Sequence, residues 1–241
     1  MPHFLVTKEE IKDNIIELRD SDNLFHIINA RRAKTGENIK FIDENHIVYH
    51  CKIKEISKKF LTAEIISKEK SKRFLKYNLS LIQSILAPDA QNLLIANATQ
   101  TGVRTIYPVI SDNVATKNKI DKIQKWQKIT YENFKQCERA DIPSIFEVSK
   151  LKEALNKFKK ENILIFSEKD INTTLDNSIK DINKNSEIAV VIGPEGGFSD
   201  DEFEYFKKEN YKLISLGSMI YKAPNAVVAG ISNIISRLEN E

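Results

Sequence analysis

The sequence predicts an α/β protein with a mostly parallel sheet, preceded by a smaller β-rich unit. From residue 73 onward, short apolar runs alternate with stretches of helical length, a pattern typical of a parallel sheet covered on both faces. Residues 1–70 instead show short β-type runs separated by turn residues. With 241 residues, 41% of them hydrophobic, the chain is long enough for one large domain or two unequal ones.

The elements of residues 1–70 follow from local patterns. A strand is predicted at Phe4–Val6, and a helix over Asp22–Arg32, where apolar residues fall on or near one face. Two turns, Thr35–Asn38 and Asp43–Asn45, then divide the β-type runs, which are Ile39–Ile42, His46–Ile56 and Phe60–Ile66. We expect this unit to form a compact barrel or meander.

The polar segment Ser67–Lys72 is the predicted linker between the domains 1–70 and 73–241, because it has no apolar residue. Positive charge is concentrated around it. The whole chain carries a net charge of +3, yet the segment from Lys52 to Lys76 holds nine Lys or Arg against three Glu. A polyanion such as RNA would explain this excess, and a solvated lysine-rich hairpin is the alternative.

Beyond residue 73, predicted strands alternate with predicted helices. The strands are Phe74–Leu79, Val103–Ile110, Ile163–Phe166, Ile188–Ile192 and Leu213–Leu216, and the helices are 88–101, 121–138, 149–160, 200–209 and 224–238. Pro88 and Pro224 fit first-turn positions, and Ser199–Glu202 forms a capping box.

Several classes of protein are excluded by what the sequence lacks. No apolar run approaches the ~18 residues that a membrane span needs. The N-terminus has no secretory signal, so a cytoplasmic location is expected. Cys51 and Cys137 lie far apart without a CxxC pair, which predicts free thiols and neither a disulfide framework nor a metal site.

Three of the seven glycines fall within Ile192–Ser199, between the strand pattern Ala189–Ile192 and the capped helix. Glycines at the carboxyl end of a strand let backbone amides approach a ligand, although a tight turn without a ligand is the alternative. The spacing is neither GxxxxGK[ST] nor GxGxxG, so it does not indicate a triphosphate or an ordinary dinucleotide. A second turn at Leu216–Ser218 would complete a pocket with this loop.

Three further segments precede the glycine loop in the sequence: His26–Arg32, Ala98–Pro108 and Gln136–Pro143. In this order, together with Ile192–Ser199 and Leu216-Gly217, they resemble the SPOUT-class methyltransferases. More narrowly, they resemble the bacterial 16S rRNA uracil-N3 methyltransferases of the ribosomal small-subunit methyltransferase E family. The resemblance extends over nearly the whole chain, and the glycine loop is its most specific part.

The resemblance implies a PUA-like RNA-binding β-barrel at 1–70 and a SPOUT domain at 73–241, with a mostly parallel sheet and a trefoil knot. It also implies a homodimer that uses S-adenosyl-L-methionine (AdoMet) to methylate N3 of a uracil in 16S rRNA of the 30S ribosomal subunit. The implied cofactor-binding residues are Phe166, Ser167, Glu168, Ile192, Gly193, Glu195, Gly196, Gly197, Leu216, Gly217, Ile220, Tyr221 and Ala226. The expected RNA-binding residues are Arg32, which matches a family arginine, and Lys58, Lys59, Lys68, Lys70 and Lys72.

Methylation of uracil N3 requires loss of its proton and stabilisation of negative charge on O2 and O4, which a fixed cation can provide. Lys222 stands where the family has an arginine and is the predicted catalytic cation, and the alternative is a merely solvated lysine at the start of a helix. Arg139 is the second catalytic candidate because it matches a family segment, and the alternative is that it only pairs with Asp141. The chain departs from the family pattern further at Asn97, Gln100, Asn113, Pro224 and Asn225.

Two other functions stay open at this point. A divergent SPOUT protein could bind rRNA and AdoMet without efficient methylation. A small-molecule α/β enzyme could use the glycine loop for an anion, but the basic N-terminal unit would then be unexplained. Among single residues, His26 and Trp126 are expected to be structural, and Glu195 either contacts ligand or caps the loop.

Overall fold

The computed structural model describes residues 2–19, 21–114, 122–169 and 171–239. The chain forms two compact units. The first is Met1–Phe74 together with Phe134–Asp141, and the second is Leu75–Asn133 together with Ile142–Glu241. Residue 121, the predicted start of a helix, lies outside the described residues.

The described strands of the first unit form one six-stranded sheet: β1 (His3–Leu5), β2 (Ile11–Lys12), β3 (Ile15–Leu18), β4 (Asn38–Ile42), β5 (Ile47–Ile56) and β6 (Leu61–Lys70). Their order is β1-β4-β5-β6-β3-β2, and every pair except the parallel β1–β4 pair is antiparallel. Alternate side chains such as Ile16 and Leu18 are buried on one face, where they form the core of this unit. The predicted β-rich unit is therefore confirmed.

The predicted helix over Asp22–Arg32 is present in two parts. The short helix α1 (Ser21–Phe25) continues into a π-helical turn, His26–Ala30. Leu24 and Ile27 are buried in the core of the first unit, so the apolar face found in the sequence is the one that packs.

The ten-residue strands β5 and β6 form a hairpin that corrects the predicted linker. Ser67–Lys70 belong to β6 and pair with Ile47–His50. A register shift between His50 and Cys51 marks a bulge, beyond which the β6 side chains are exposed. Because backbone pairing does not require apolar side chains, the polar composition of this segment gave a wrong prediction.

The second unit contains a seven-stranded sheet in which all pairs are parallel. Its strands are β7 (Leu79–Ser84), β8 (Thr105–Ile110), β9 (Ser144–Ile145), β10 (Ser149–Lys150), β11 (Ile163–Phe166), β12 (Ile188–Ile192) and β13 (Lys212–Ile214). The order is β10-β8-β7-β12-β11-β13, and β9 also pairs with β8. The predicted α/β fold with a parallel sheet is confirmed.

The described helices of the second unit cover both faces of this sheet. They are α2 (Pro88–Gln100), α3 (Ile123–Cys137, whose last turn belongs to the first unit), α4 (Leu151–Leu155), α5 (Leu175–Lys180), α6 (Asp200–Lys208) and α7 (Ala223–Glu239). Residues of α2 and α7, such as Leu94 and Val227, belong to one buried cluster, and residues of α4 and α6, such as Leu155 and Phe206, belong to the other. Trp126 is 2% exposed in the first of these clusters, as predicted.

Two predictions for the second unit were wrong. The strand predicted at Phe74–Leu79 is instead β7, Leu79–Ser84, whose Ser80, Gln83 and Ser84 are fully buried and gave it a polar appearance. The helix predicted over 149–160 is formed only by α4, Leu151–Leu155. In the whole chain, four described strands of two to four residues and the six-residue helix α5 were not predicted; the strands are β2, β3, β9 and β10.

Both cysteines are free thiols, as predicted. Burial raises the pKa of Cys51 to about 12, so this thiol is poorly ionised and unreactive. Within the described ranges, no helix combines the length and the apolar character needed to cross a bilayer.

Candidate functional site

Three loops of the second unit begin at the same edge of the sheet. Strand β11 lies between β12 and β13, and Phe166, at its carboxyl end, is in register with Ile192 and Ile214. Because the strands are parallel, the loops that start at Ser167, Gly193 and Ser215 leave the sheet side by side. The structure thus brings together the three sequence segments predicted to bind a cofactor.

The glycine loop is shaped by its own residues. The Gly197 N–H donates to the Pro194 carbonyl (2.9 Å), and Gly197 has a φ of +71°, which favours glycine. A Cβ on Gly193 would lie 3.2 Å from the ring of Phe198, whereas one on Gly196 would approach no heavy atom closer than 3.5 Å. A side chain at Gly196 would therefore make ordinary contacts with Asn113, whereas nothing lies within 4 Å of a Cβ built on Gly217.

A short segment after β8 fastens this loop to the sheet. The Asn113 side-chain amide donates to the Gly197 carbonyl (3.2 Å), and the Ser199 hydroxyl donates to Asp112 (2.6 Å). The Asp112 N–H donates in turn to Glu202 (3.1 Å), which completes the predicted capping box with Ser199. Burial raises the pKa of Glu202. From the sequence, Asn113 was evident only as a departure from the family pattern, and its contact with the loop arises from the fold.

Glu195 has a structural contact. Its carboxylate accepts a hydrogen bond from the Ala87 N–H (3.1 Å), at the residue just before α2. The first N–H groups of a helix region lack backbone partners, so this carboxylate satisfies one of them. Glu195 therefore caps the start of α2 rather than its own loop, and its predicted contact with a ligand stays a prediction.

The third loop presents apolar side chains to solvent. The Ser215 hydroxyl contacts both the N–H and the carbonyl of Gly217, which has a φ of +114°. After this turn, Met219, Ile220 and Tyr221 are all exposed, Ile220 by 83%. Exposed apolar side chains beside an open backbone suit a ligand with an aromatic ring and an apolar chain.

Phe166 and helix α7 close the base of this edge. A Cβ on Gly230 would lie 2.6 Å from the Phe166 ring, so only glycine lets the helix come this near. Ala226, one turn earlier on α7, is buried too. The predicted positions Phe166, Ile192 and Ala226 are therefore core residues beneath the loops, whereas Ser167, Glu168 and Gly217 are at least partly accessible.

The two catalytic candidates have different surroundings. Lys222 is exposed at the start of α7, where its carbonyl accepts from the N–H groups of Asn225 and Ala226. Arg139 belongs to the first unit, is only 6% exposed, and forms an ion pair with Asp141 (2.9 Å). Lys222 therefore has the accessible cation, whereas Arg139 has the paired environment that the alternative interpretation predicted.

The predicted RNA-binding lysines are not one cluster. Lys58 and Lys59 lie in the turn between β5 and β6, whereas Lys68 and Lys70 lie at the far end of the same hairpin. At about 3.4 Å per residue, the two groups are roughly 30 Å apart. Lys72 follows the second group, and Arg32 is exposed with a φ of +53°.

Residues beside the glycine loop line a cavity of about 430 Å³ that sequence analysis did not find. It is bounded by the end of β8, the start of α4 and the first turns of α6, through Ile110–Asp112, Lys150–Glu153, Asp201, Glu202 and Tyr205. The sequence predicted strand β8, a helix that includes α4 and the capping box of α6, but not that these three elements would meet. In the part of the chain that the structure describes, no group of three or more His, Cys, Asp or Glu could hold a metal ion.

Comparison with protein families gives two matches. Residues 73–235 match the model of an RNA methyltransferase domain, and residues 18–66 match that of an RNA methyltransferase PUA domain. The two matches follow the order of the basic β-rich part and the α/β part of the chain.

Curated proteins and solved structures give similar results. The chain is 28% identical over 223 residues to Ribosomal RNA small subunit methyltransferase E of Rickettsia conorii, covering 91% of this chain and 88% of the relative. A protein of that name from Mesomycoplasma hyopneumoniae is 30% identical over 69% of this chain and 73% of its own length. A crystal structure of such a methyltransferase from Neisseria gonorrhoeae, bound to S-adenosyl methionine, matches at 25% identity with a TM-score of 0.84, covering 98% of both chains.

Proposed function

The chain belongs to the RNA methyltransferase family, and from this premise we propose that it transfers the methyl group of AdoMet to N3 of a uracil in 16S rRNA of the 30S subunit. The observation that carries the proposal is the convergence of three loops at one edge of the parallel sheet. The names of the relatives support ribosomal RNA of the small subunit as the substrate class.

The residues at this edge fit AdoMet. Nothing lies within 4 Å of a Cβ built on Gly217, Gly197 and Gly217 adopt conformations that favour glycine, and Ile220 and Tyr221 offer exposed apolar surface. We assign the backbone of Gly193–Gly197, the start of the loop at Ser167–Glu168 and the segment Leu216–Tyr221 to cofactor binding. When bound, AdoMet supplies an electrophilic methyl group on a sulfonium.

The protein must hold the uracil as an anion in front of that methyl group. The N3 proton would pass to solvent, which leaves an electron pair on N3 whose charge is shared with O2 and O4. This pair would form the new N–C bond as the bond between the methyl group and the sulfonium sulfur breaks, and the neutral thioether S-adenosylhomocysteine would leave. The Lys222 ammonium stabilises this charge, because it is the accessible cation of the segment that follows Gly217. Arg139 remains the second candidate for this role.

The first unit would bind the rRNA, mainly through the lysines of its β5–β6 hairpin. Arg32, Lys58, Lys59, Lys68, Lys70 and Lys72 are all exposed, as phosphate contacts require. We place the protein in the cytoplasm, where its ribosomal substrate is found, and propose that it acts as a homodimer. Leu93 on α2 and Val228 on α7 are exposed apolar side chains on two helices that pack together, which makes them candidates for the dimer contact.

One observation favours a second candidate function, an RNA-binding protein that retains the cofactor site but methylates poorly. Asn113 stands where the family has an arginine, and its amide is engaged in holding the Gly197 carbonyl. Lys222 also replaces an arginine and lacks its bidentate fork.

The two candidates are separated by incubation with tritiated AdoMet and either 30S subunits or naked 16S rRNA. Nucleoside digestion followed by mass spectrometry then identifies the methylated position. Label recovered as 3-methyluridine supports the proposed reaction. Cofactor and RNA binding without label in either substrate supports the second candidate, and label on another atom contradicts the N3 assignment.

A further inference from the structure

An aromatic stack with one exposed ring lies at the β8 side of the second unit. Phe146 follows β9, and its N–H donates to the Ile106 carbonyl (3.0 Å), which fixes its backbone. Its ring lies parallel to that of Tyr107, with centroids 4.6 Å apart and an angle of 11°. Tyr107 is 7% exposed and Phe146 is 45% exposed, so the stack ends with an aromatic ring that meets solvent.

A lysine lies beside the stack and leaves the outer face of Phe146 uncovered. Lys157 Nζ lies 5.8 Å from the centroid of Tyr107 and 5.7 Å from that of Phe146. Nearly equal distances to two parallel rings place the ammonium beside the stack and away from the outer face of Phe146. Phe158 supports Tyr107 edge-on, with centroids 5.4 Å apart, so the inner ring is held firmly.

The surroundings are cationic. The segment 150–161 contains five lysines and two glutamates, and all five lysine side chains are exposed. Lys152 and Lys160 also lie over the rings of Tyr205 and Tyr211. Carboxylates oppose this charge in part: Glu147 follows Phe146 in the sequence, and the charge of Glu187 acts on Tyr107, whose pKa is raised mainly by burial and further by Glu187. Exposed aromatic rings interleaved with lysines are the chemistry that binds single-stranded nucleic acid, through base stacking and phosphate contacts.

We propose that Phe146 and Lys157 form a platform on which one unpaired base of the RNA substrate stacks, with Lys157 binding an adjacent phosphate. The inference deepens the proposed function and rests on it. The platform is continuous with the candidate site, which supports the assignment. From Tyr107 the chain follows β8 to its end at Ile110, where the 430 Å³ cavity begins, and the next residues lead to Asn113, which contacts Gly197.

The test uses a 12-nucleotide single-stranded RNA that carries 2-aminopurine, whose fluorescence is quenched by stacking. Phe146→Leu keeps an apolar cover on Tyr107 but removes the aromatic face, so we expect about tenfold weaker binding and loss of the protein-induced quenching. Phe146→Trp should bind at least as tightly as the wild type. Lys157→Gln should lower the salt slope of binding by about 0.7, and Lys157→Arg should restore it.

Matched controls separate the platform from general effects. Ile171→Ala removes another exposed apolar side chain of the same unit, and Lys180→Gln removes another exposed lysine. Neither should change RNA affinity. AdoMet affinity, measured by calorimetry, should be the same in every variant.

The outcomes distinguish failure of the platform from failure of the proposed function. If the wild type methylates 30S subunits and Phe146→Leu binds and quenches as the wild type does, the platform is wrong and the function stands. If Phe146 controls quenching but no methyl transfer occurs, the platform stands and the proposed reaction fails. Phe146→Trp that binds as weakly as Phe146→Leu also overturns the platform, because the effect would then be structural.

Discussion

At the scale of single residues, the neighbours Gly196 and Gly197 differ in how the folded chain would tolerate a side chain. A Cβ on Gly196 would make ordinary contacts with Asn113, whereas Gly197 has a φ of +71°, which strains any other residue. We therefore predict that Gly196→Ala keeps wild-type stability but binds AdoMet roughly tenfold more weakly, since its methyl group would intrude on the ligand. Gly197→Ala should in addition lose about 1–2 kcal/mol of stability. Calorimetric titration and urea unfolding measure the two effects.

Gly36 provides a matched control for backbone strain. It lies in the first unit with a φ of +88° and has no neighbour within 4 Å of a built Cβ. Gly36→Ala should lower stability while leaving AdoMet affinity unchanged. Unaltered AdoMet binding by Gly196→Ala would contradict the assignment of this loop to the cofactor.

Lys222 allows a direct test of charge stabilisation. Because its side chain is exposed, Lys222→Met should fold normally and bind AdoMet as before, but methyl transfer should slow by about 10²–10³. Lys222→Arg should retain or raise activity, since the resemblance places arginine here. Single-turnover rates are required, so that product release does not hide the chemical step.

Lys208→Met, at the exposed end of α6, is the control for loss of a surface charge. Full activity of Lys222→Met would remove Lys222 from the mechanism. Attention would then move to Arg139, whose ion pair with Asp141 would have to open for it to reach a substrate.

At the scale of elements, the β5–β6 hairpin separates its lysines into two groups. If RNA lies along the hairpin, Lys58→Ala/Lys59→Ala and Lys68→Ala/Lys70→Ala should each reduce the log–log salt slope of RNA binding, by about 0.7–0.9 for every phosphate that the variant no longer neutralises. The effects should add, because the groups are roughly 30 Å apart. Fluorescence anisotropy at several salt concentrations measures both slopes.

An effect confined to one pair would show that RNA contacts only that end of the hairpin. No change in either pair would make these lysines a solvated surface, the alternative that charge counting left open. In every case AdoMet affinity should be unaffected.

Elements with strong local signals were predicted well. Strands β11 and β12 are unbroken apolar runs, and both were predicted with their observed bounds. Ser199 and Glu202 marked the start of α6 because the capping box is a local interaction. Strand β7 was predicted five residues too early. Its buried Ser80 and Gln83 look unsuited to a core strand because their partners, Glu187 and Gln91, reach them only after folding.

In the candidate site, too, local features were predicted and long-range contacts were not. Its glycines and turns were evident because turn chemistry is local. The hydrogen bonds that hold it, Ser199 to Asp112 and Ala87 to Glu195, join residues 87 and 108 positions apart, so no sequence window contains them. For the same reason, the stack of Phe146 on Tyr107 could not be predicted.

At the scale of the whole molecule, a buried histidine makes stability depend on pH. Burial lowers the pKa of His3 to about 4, from 6.5, with smaller effects from Glu138 and Lys40. The unfolded state therefore binds a proton more readily, and stability contributed by neutral His3 is lost as the pH falls from about 6.5 to 4. We predict that His3→Phe, which preserves the ring contact with Phe134, reduces this loss by up to about 3 kcal/mol.

Urea unfolding followed by circular dichroism at pH 4, 5.5 and 7 tests the prediction. Equal acid sensitivity of His3→Phe and the wild type would contradict the assignment.

The pairing of β7 with β12 sets the point during translation at which the parallel sheet can be completed. It joins residues 109 positions apart, such as Leu79 and Ile188, and connects the β7–β8 side of the sheet with the β11–β13 side. A translating ribosome therefore releases β7 long before its partner, leaving a strand edge exposed in the meantime. Polar residues in β7 make this exposed strand edge less prone to aggregate. A nascent chain that ends before Lys212 lacks the third loop of the proposed cofactor site as well, so under this proposal an incomplete chain cannot bind AdoMet.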